Sequence, residues 1–210
     1  FVTAAFGAVR QEDKLAATME LQLGAATTIS PKPGAPSEAK ESALDVLCQA
    51  SRALSSIRET KPLLAKALDL AYQAVGAETG YLFVRDELKK GSLSCQASQG
   101  QPAKVSGSIV RRAMQESKAI LTSEAMADFR FKEQASVVMH RIGPVLCAPL
   151  VSHETARGVI YLTRRAGTGA FNADHLELVA SIGMQAGLAL ENVVAHEQRR
   201  VERGRRLAED

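Results

Sequence analysis

Three cysteines, Cys48, Cys95 and Cys147, are the residues of this chain best suited to covalent chemistry. Their number is odd, their spacing is wide and no CxxC motif is present. A disulfide framework is therefore not expected, and a reducing cytoplasm is the predicted compartment. Cys95 is the best candidate for a reactive thiol because the strand predicted around it is polar on one side. It has no adjacent Lys or His to lower its pKa, so a passive thiol is favoured for each cysteine.

Other catalytic and metal-binding patterns are not found. The four histidines, His140, His153, His175 and His196, show neither HxH nor HxxxH spacing, so no metal site is expected. The glycine-rich stretch 164–170 lacks the Gly-Lys-Ser/Thr ending of a phosphate loop, and it is interpreted as a turn. Neither a GxSxG motif nor an acid–base constellation is visible. The chain is predicted not to be an enzyme, and a thiol-dependent reductase is the remaining catalytic alternative.

The composition is that of an ordinary globular protein with 210 residues, 46% of them apolar and 23% charged. Aromatic residues make up 4%, Trp is absent and the net charge is +3, so base stacking on nucleic acid is not expected. No apolar run reaches the roughly 18–20 residues that span a bilayer. The chain begins with Phe1 and without a signal-peptide pattern, so we expect a fragment or processed chain of a cytoplasmic protein.

The elements that would position any site centre on a pair of strands. Ile142–Val151 and Arg157–Leu162 are nearly continuous in apolar character, which predicts central strands covered on both faces. The loop 152–156 joins them. Further strands are predicted at Gly80–Arg85, at Ser92–Ala97 and around Ala119–Thr122. Their tight turns indicate an antiparallel sheet.

Helices are predicted before, between and after these strands along the chain. One begins at Ser37 and a second near Pro62, and each carries an amphipathic stripe. A short helix covers 109–114, another is predicted over 131–141, and the last begins at the N-cap Asn172 and continues past Val194. Residues 1–36 are interpreted as a linker or the tail of an upstream domain, in which 15–23 forms either a strand or a helix. The fold class is α+β.

This order of elements resembles the GAF domain family. Three stretches carry the resemblance: Ser108–Leu121 continued by Ala127–Phe131, the pair of strands over Ile142–Leu162, and Phe171–Asn192. It implies a six-stranded antiparallel sheet flanked by helices, with long N- and C-terminal helices. We expect the GAF domain over 37–195.

The resemblance also implies what surrounds that domain. It is greatest for GAF domains of bacterial signalling proteins with a forkhead-associated domain upstream. Residues 196–210 would begin a signalling helix, because 198–210 resemble the segment before serine phosphatase domains. A cyclase or an ATPase activator is an alternative output domain.

A ligand pocket is implied between the central strands and the segment 106–140. The candidate wall residues are Tyr81, Phe83, Ile109, Leu121, Asp128, Phe131, Val145, Cys147 and Tyr161. Most of them are apolar, and burial of an aliphatic side chain stabilises a core by about 1.5–3 kcal/mol. A core without any ligand therefore explains the same residues and stays open as an alternative.

Known ligands of the family are not supported by the matching residues. Cyclic-nucleotide-binding relatives carry an Asn-Lys…Phe…Asp-Glu pattern, whereas this chain has Thr163-Arg164, Phe171 and Asp174-His175. Bilin carriers have His after the attachment Cys, whereas Ala148 follows Cys147. Cyclic nucleotide, bilin and metal are therefore not expected, and an unidentified small molecule is the remaining ligand.

The first and last helices are predicted to form a homodimer, because small residues in the last helix allow another helix to approach closely. The candidate contacts are Leu47, Leu54, Gly183, Ala186, Leu190 and Val193. Packing of these residues on the chain's own sheet is the alternative. The resemblance thus implies a non-catalytic sensory and dimerising module that relays a small-molecule or dimer state to an output domain. A structural interaction domain with a filled pocket is the alternative function, and neither nucleic acid nor a membrane is an expected partner.

Overall fold

The computed structural model describes residues 18–22, 37–86, 92–122, 143–165 and 167–209. The strands are β1 (Thr18–Gln22), β2 (Thr79–Asp86), β3 (Ser92–Gly100), β4 (Lys118–Thr122), β5 (Val145–Ser152) and β6 (Thr155–Thr163). The helices are α1 (Ser37–Ser56), α2 (Thr60–Ala74), α3 (Gly107–Glu116) and α4 (Ala173–Glu209). The helix predicted over 131–141 and the candidates Asp128 and Phe131 lie outside the described residues.

The strands form one sheet in the order β1-β4-β5-β6-β2-β3, and every neighbouring pair is antiparallel. The predicted α+β class, with an antiparallel sheet flanked by helices, is confirmed. Strand β1 lies in the segment 15–23, for which the sequence allowed either a strand or a helix. The sheet therefore includes a strand from the first 36 residues, while the domain boundaries remain a prediction.

Strands β5 and β6 form the central hairpin. Its turn consists of His153 and Glu154, whose φ angles of 45° and 65° are both positive, as in the two-residue turns that match the twist of a hairpin. The connection is shorter than the predicted loop 152–156 because the strands extend to Ser152 and begin again at Thr155. Every residue of β5 is buried, in agreement with its prediction as a central strand.

The two faces of this sheet are covered by different helices. On the helical face, defined as the side covered by α1, α2 and α4, the strands contribute Leu82, Leu146, Ala148, Ile160 and Leu162, among others. On the α3 face, defined as the opposite side, they contribute Ile120, Val145, Cys147, Val159 and Tyr161. Successive side chains of a strand point to opposite faces, so neighbouring residues belong to separate cores.

Helix α4 approaches the sheet at two glycines. A Cβ atom added at Gly183 would lie 2.7 Å from the Pro149 carbonyl oxygen, and one added at Gly187 would lie 2.4 Å from the Val151 carbonyl oxygen. These distances are shorter than real Cβ atoms show. Glycine at both positions therefore allows α4 to rest directly on β5.

The six residues predicted for a dimer surface pack against the core of the same protomer, and the dimer itself stays a prediction. They are Leu47, Leu54, Gly183, Ala186, Leu190 and Val193. The apolar stripe of α4 faces the sheet of the same chain, and that of α1 packs on α2 and α4, so both are buried without a partner. The small residues of α4 likewise serve its contact with β5.

One segment of α4, Ala173–Arg203, is long and apolar enough to cross a membrane by length and composition alone. Its apolar stripe is part of the core of the helical face, where Leu176, Val179, Ile182 and Leu190 are buried. The core helix of a globular domain meets the same criterion, so this feature is weak support for a membrane span.

Candidate functional site

Helix α3 covers the face of the sheet on which most of the predicted pocket residues lie. Ile109, Val110, Ala113 and Met114 recur at helical spacing, so one side of α3 is apolar and packs on the strands. The helix ends at Ser117, whose left-handed conformation (φ 52°) turns the chain into β4. The result is a buried cluster between α3 and the strands.

Three side chains with functional groups lie in a row across this cluster. Tyr161 of β6 is paired directly with Cys147 of β5 on one side and with Tyr81 of β2 on the other. Tyr161 and Cys147 are fully buried, and Tyr81 is half-buried. The α3 face thus places two phenols and one thiol side by side.

The phenolic oxygen of Tyr161 lies at the start of α3. It accepts the backbone N–H of Ser106, the N-cap residue of that helix, at 3.2 Å. Burial raises the pKa of Tyr161, so the phenol stays protonated and retains an O–H donor.

Tyr81 holds the segment that leads into α3. Its hydroxyl donates to the Ala103 carbonyl at 3.1 Å and accepts the Ala103 N–H at 2.8 Å. Its ring is stacked on Phe83, with 6.0 Å between the ring centroids. This pair of rings forms an aromatic surface beside Tyr161.

The buried thiol of Cys147 is poorly placed for nucleophilic chemistry. Burial raises the pKa of Cys147, so its reactive thiolate form is suppressed. Cys48 and Cys95 are exposed, and the Cys95 thiol donates to the Ala97 carbonyl at 3.4 Å. Among the residues that the structure describes, no three His, Cys, Asp or Glu side chains form a group that could hold a metal ion.

The structure brings together six of the nine predicted pocket residues. Those on the α3 face are Tyr81, Phe83, Ile109, Val145, Cys147 and Tyr161. The placement of Leu121 is corrected, because it packs in the helical core and Ile120 occupies the α3 face instead. Asp128 and Phe131 are not among the described residues.

Sequence reasoning missed other members of this cluster. Val159 lies two residues before Tyr161 on the same strand, so strict alternation from Tyr161 would have identified it. Met114 lies on the apolar side of α3, four residues after Val110. The contact between Tyr161 and Ser106 joins residues 55 positions apart, and no local sequence signal predicts it.

A polar network connects the central hairpin to α4. The Ser152 hydroxyl donates a hydrogen bond to the Glu191 carboxylate. Arg157 and His153 lie 3.8 and 3.7 Å from the same carboxylate. The hydrogen bond from Ser152 is the main cause that holds the pKa of Glu191 below its usual range. The charges of His153 and Arg157 make smaller contributions in the same direction. The hairpin and α4 are thus joined by polar contacts as well as by packing.

The residues that match the cyclic-nucleotide pattern have a structural role here. The Arg164 guanidinium donates to the carbonyl oxygens of Val75 and Gly76, just after the end of α2, and lies 4.4 Å from the ring centroid of Phe171. Asn172 and His175 cap the start of α4 reciprocally, through an N–H to Oδ1 bond of 2.8 Å and an N–H to Nδ1 bond of 3.2 Å. Burial is the main cause that lowers the pKa of His175, and the charge of Arg164 lowers it further.

Solved structures with the same fold share little sequence with this chain. A GAF domain of an Acinetobacter phosphoenolpyruvate-protein phosphotransferase is 15% identical, with a TM-score of 0.58 over 72% of this chain and 94% of that chain. A segment of a methyl-accepting chemotaxis protein is 18% identical, with a TM-score of 0.56 over 69% and 96%. Free methionine-R-sulfoxide reductase from Neisseria meningitidis is 14% identical, with a TM-score of 0.60 over 80% and 98%.

No curated protein sequence matches this chain. The family model described as "GAF domain" matches residues 59–192, which include every element from α2 to β6 and more than half of α4. The match covers more than half of the chain and agrees with the fold. This chain belongs to the GAF domain family.

Proposed function

We propose that this domain is a non-catalytic sensory module that binds a small molecule at the α3 face and transmits its occupancy to α4. The observation that carries the proposal is the sharing of β5 and β6 by both faces. Cys147 and Tyr161 point to the α3 face, whereas Leu146 and Leu162, next to them in the chain, point to the helical face. A displacement of these strands by a ligand therefore acts directly on the core that contains α4.

The contact between α4 and β5 makes this transmission direct. Gly183 and Gly187 place the helix backbone against the carbonyl groups of Pro149 and Val151, without an intervening side chain. Glu191 adds a polar connection to the hairpin. Rigid contacts of this kind leave little room for the strands to move independently of the helix.

Two further observations support a sensory, non-catalytic function. A methyl-accepting chemotaxis protein contains a domain of this fold, and its name denotes a signalling protein. The reductase alternative is not favoured, because Cys147 is buried and its pKa is raised. A structural interaction domain with a filled core is the alternative that the experiment below must separate.

A thermal-shift screen of cyclic nucleotides, amino acids and haem tests the ligand-binding half of the proposal. A ligand at about 100 times its Kd stabilises the folded state by about 2.7 kcal/mol. Ile109→Ala on the α3 face should weaken binding, whereas Leu63→Ala, an equally buried residue of α2, is the matched control for destabilisation and should leave the affinity unchanged. No shift with any compound, or equal losses of affinity in both variants, would favour the structural alternative.

Hydrogen exchange tests the transmission to α4. Addition of the ligand from the screen should change amide exchange in β5, in β6 and in α4 around Gly183–Glu191. Helix α2, on the same side of the sheet but without such glycine contacts, serves as the internal control. A response confined to α3 would contradict transmission.

We also propose that the protein is a homodimer, through surfaces other than those predicted. Leu188 and Val201 of α4 are large apolar side chains that are 50% and 62% exposed, and a second copy would cover them. In sedimentation velocity at micromolar concentration, Leu188→Glu and Val201→Glu should shift a dimer to monomer, while Gln115→Glu on exposed α3 should not. A wild-type monomer would disprove the proposal.

The cellular setting remains a prediction. It comprises a cytoplasmic location, a forkhead-associated domain upstream and an output domain such as a serine phosphatase, a cyclase or an ATPase activator.

A further inference from the structure

Strand β1 completes the sheet from outside the part of the chain that the family model matches. It lies on the outer edge of β4, with Thr18 opposite Thr122 and Gln22 opposite Lys118. The family match begins at residue 59, whereas β1 and α1 both precede that residue. The matched domain by itself therefore ends its sheet at β4, and a strand from an earlier part of the chain covers that edge.

The outer edge of β4 is a binding site for an extended strand. Residues 119–122 of β4 are buried, and the backbone N–H and C=O groups on the outer side of this strand need partners. Strand β1 is paired with them over five consecutive residues. Such pairing depends mainly on main-chain hydrogen bonds, so an identical strand from a second copy of the chain fits the same edge equally well.

The chain connections leave β1 able to reach either copy. Strands β2 and β3 are joined by residues 87–91, and β5 and β6 by two residues, so these pairs form within one chain. Strand β1 instead leads into α1 through the fourteen residues 23–36. A connection of this length spans up to about 46 Å, about three times the radius of gyration of about 15 Å for a compact domain of this size.

The proposed dimer surface on α4 is small and belongs to a helix that contacts this edge. Among the residues that the structure describes, the exposed large apolar side chains are Leu188 and Val201. Specific interfaces bury about 1,200–2,000 Å² in total, and two partly exposed side chains from each copy do not supply that area. Helix α4 contacts both β1 and β4, so a second copy packed on α4 stands beside the β4 edge.

From these observations we infer that β1 is exchanged between two copies of the chain. In the homodimer, each copy places its β1 on the outer edge of β4 of the other copy, in the same antiparallel register. Exchange keeps the contacts of the single chain and makes them intermolecular, so it costs few interactions and adds two strand pairings to the interface. The inference rests on the proposed homodimer and specifies how its two copies are joined.

The test joins two different copies through the exchanged pair. Both copies carry Cys48→Ser and Cys95→Ser, which remove the exposed thiols. One copy carries Gln22→Cys, and the other, with a size tag, carries Lys118→Cys. Directly opposite residues of an antiparallel ladder have Cα atoms about 4.5–5.5 Å apart, within the range that a disulfide bridges. After coexpression and oxidation, a non-reducing gel should show a covalent mixed dimer in about half of the dimers, the statistical share of mixed pairs.

Two controls accompany this experiment. Replacing Lys118→Cys by Gln96→Cys moves the thiol to an exposed position of β3, at the opposite edge of the sheet, and should abolish the covalent mixed dimer. The double variant Gln22→Cys/Lys118→Cys in one chain tests the register. It should form the disulfide and, if β1 is exchanged, migrate as a covalent dimer.

The outcomes separate strand exchange from the homodimer on which it rests. A dimer in sedimentation velocity whose double variant closes its disulfide within one chain, with no mixed product, overturns the exchange and leaves the homodimer in place. A monomer overturns both. A double variant that forms no disulfide overturns the pairing of β1 with β4 and the exchange with it. Ligand binding at the α3 face is tested separately by the thermal-shift screen.

Discussion

The two faces of the central sheet are built from adjacent residues of the same strands, yet their chemistry differs. On β6, Leu162 joins an aliphatic core beneath α1, α2 and α4, whereas Tyr161 lies with Cys147 and Tyr81 beneath α3. Polar groups in a core cost free energy unless they are hydrogen-bonded. The proposed function assigns stability to the helical face and recognition to the α3 face.

The largest effect is expected on the helical face, from Leu162→Ala. Leu162 is fully buried, and its truncation should lower the free energy of unfolding by about 3 kcal/mol through lost transfer energy and a cavity. Urea denaturation followed by circular dichroism measures this change. Gln115→Ala at an exposed position of α3 is the control, with a change of less than about 0.5 kcal/mol. A loss no larger than that of the control would contradict the structural role of this face.

A second substitution tests the contact between α4 and β5. Gly187→Ala should destabilise the protein by about 2 kcal/mol, because the added Cβ atom collides with the Val151 backbone and overpacking exceeds the gain in helix propensity of about 1 kcal/mol. Gly107→Ala at the start of α3 is the matched control, since its Cβ atom would meet only Arg111, at 3.7 Å. If Gly187→Ala stabilises the protein, the close approach of α4 is wrong.

On the α3 face, Tyr161→Phe should change the free energy of unfolding by less than about 1 kcal/mol, since the ring stays and only one neutral hydrogen bond is lost. The same denaturation experiment measures it beside Leu162→Ala. A loss as large as that of Leu162→Ala would show that the Tyr161 hydroxyl is structural. The contrast between the two faces would then disappear.

The smallest effect is expected in the pH dependence of stability. It arises at the start of α4 and not on the α3 face. The pKa of His175 is lowered in the folded state, so the unfolded chain binds this proton more readily and stability falls as the pH drops through about 6.5. His175→Gln keeps an acceptor for the Asn172 N–H without titrating, and should reduce the loss of stability between about pH 7.5 and pH 5.5. Cys147 and Tyr161, whose pKa values are raised, contribute nothing in this range. An unchanged slope in His175→Gln would assign the pH dependence to other groups.

Much of the fold could be predicted from the sequence, because its signals are local. Runs of β-branched and aliphatic residues marked β2, β5 and β6, and N-caps with amphipathic stripes marked α1 and α4. The assignment of residues to faces was harder. Strands covered on both sides are apolar throughout, so alternation does not show which face a residue such as Leu121 meets.

The role of the glycines in α4 also required the structure. A small residue in a helix permits close approach, but the sequence does not show whether the neighbour is another chain or the helix's own sheet. The contact of Gly187 with Val151, 36 positions earlier, resolves this in favour of the sheet. The contact of Ser106 with Tyr161 likewise depends on the tertiary fold.

Because α4 is one continuous helix, a small rotation where it contacts the sheet would produce a larger displacement at its far end. Between Gly187, where the helix rests on β5, and Glu209, its last residue, a rise of 1.5 Å per residue gives an arm of about 33 Å. A tilt of about a tenth of a radian at the glycine contact would then displace the far end by about 3 Å, more than half of one helical turn. Under the proposed function the two glycines are the pivot of this motion, and a side chain at either position would change both the angle of α4 and the displacement of its far end.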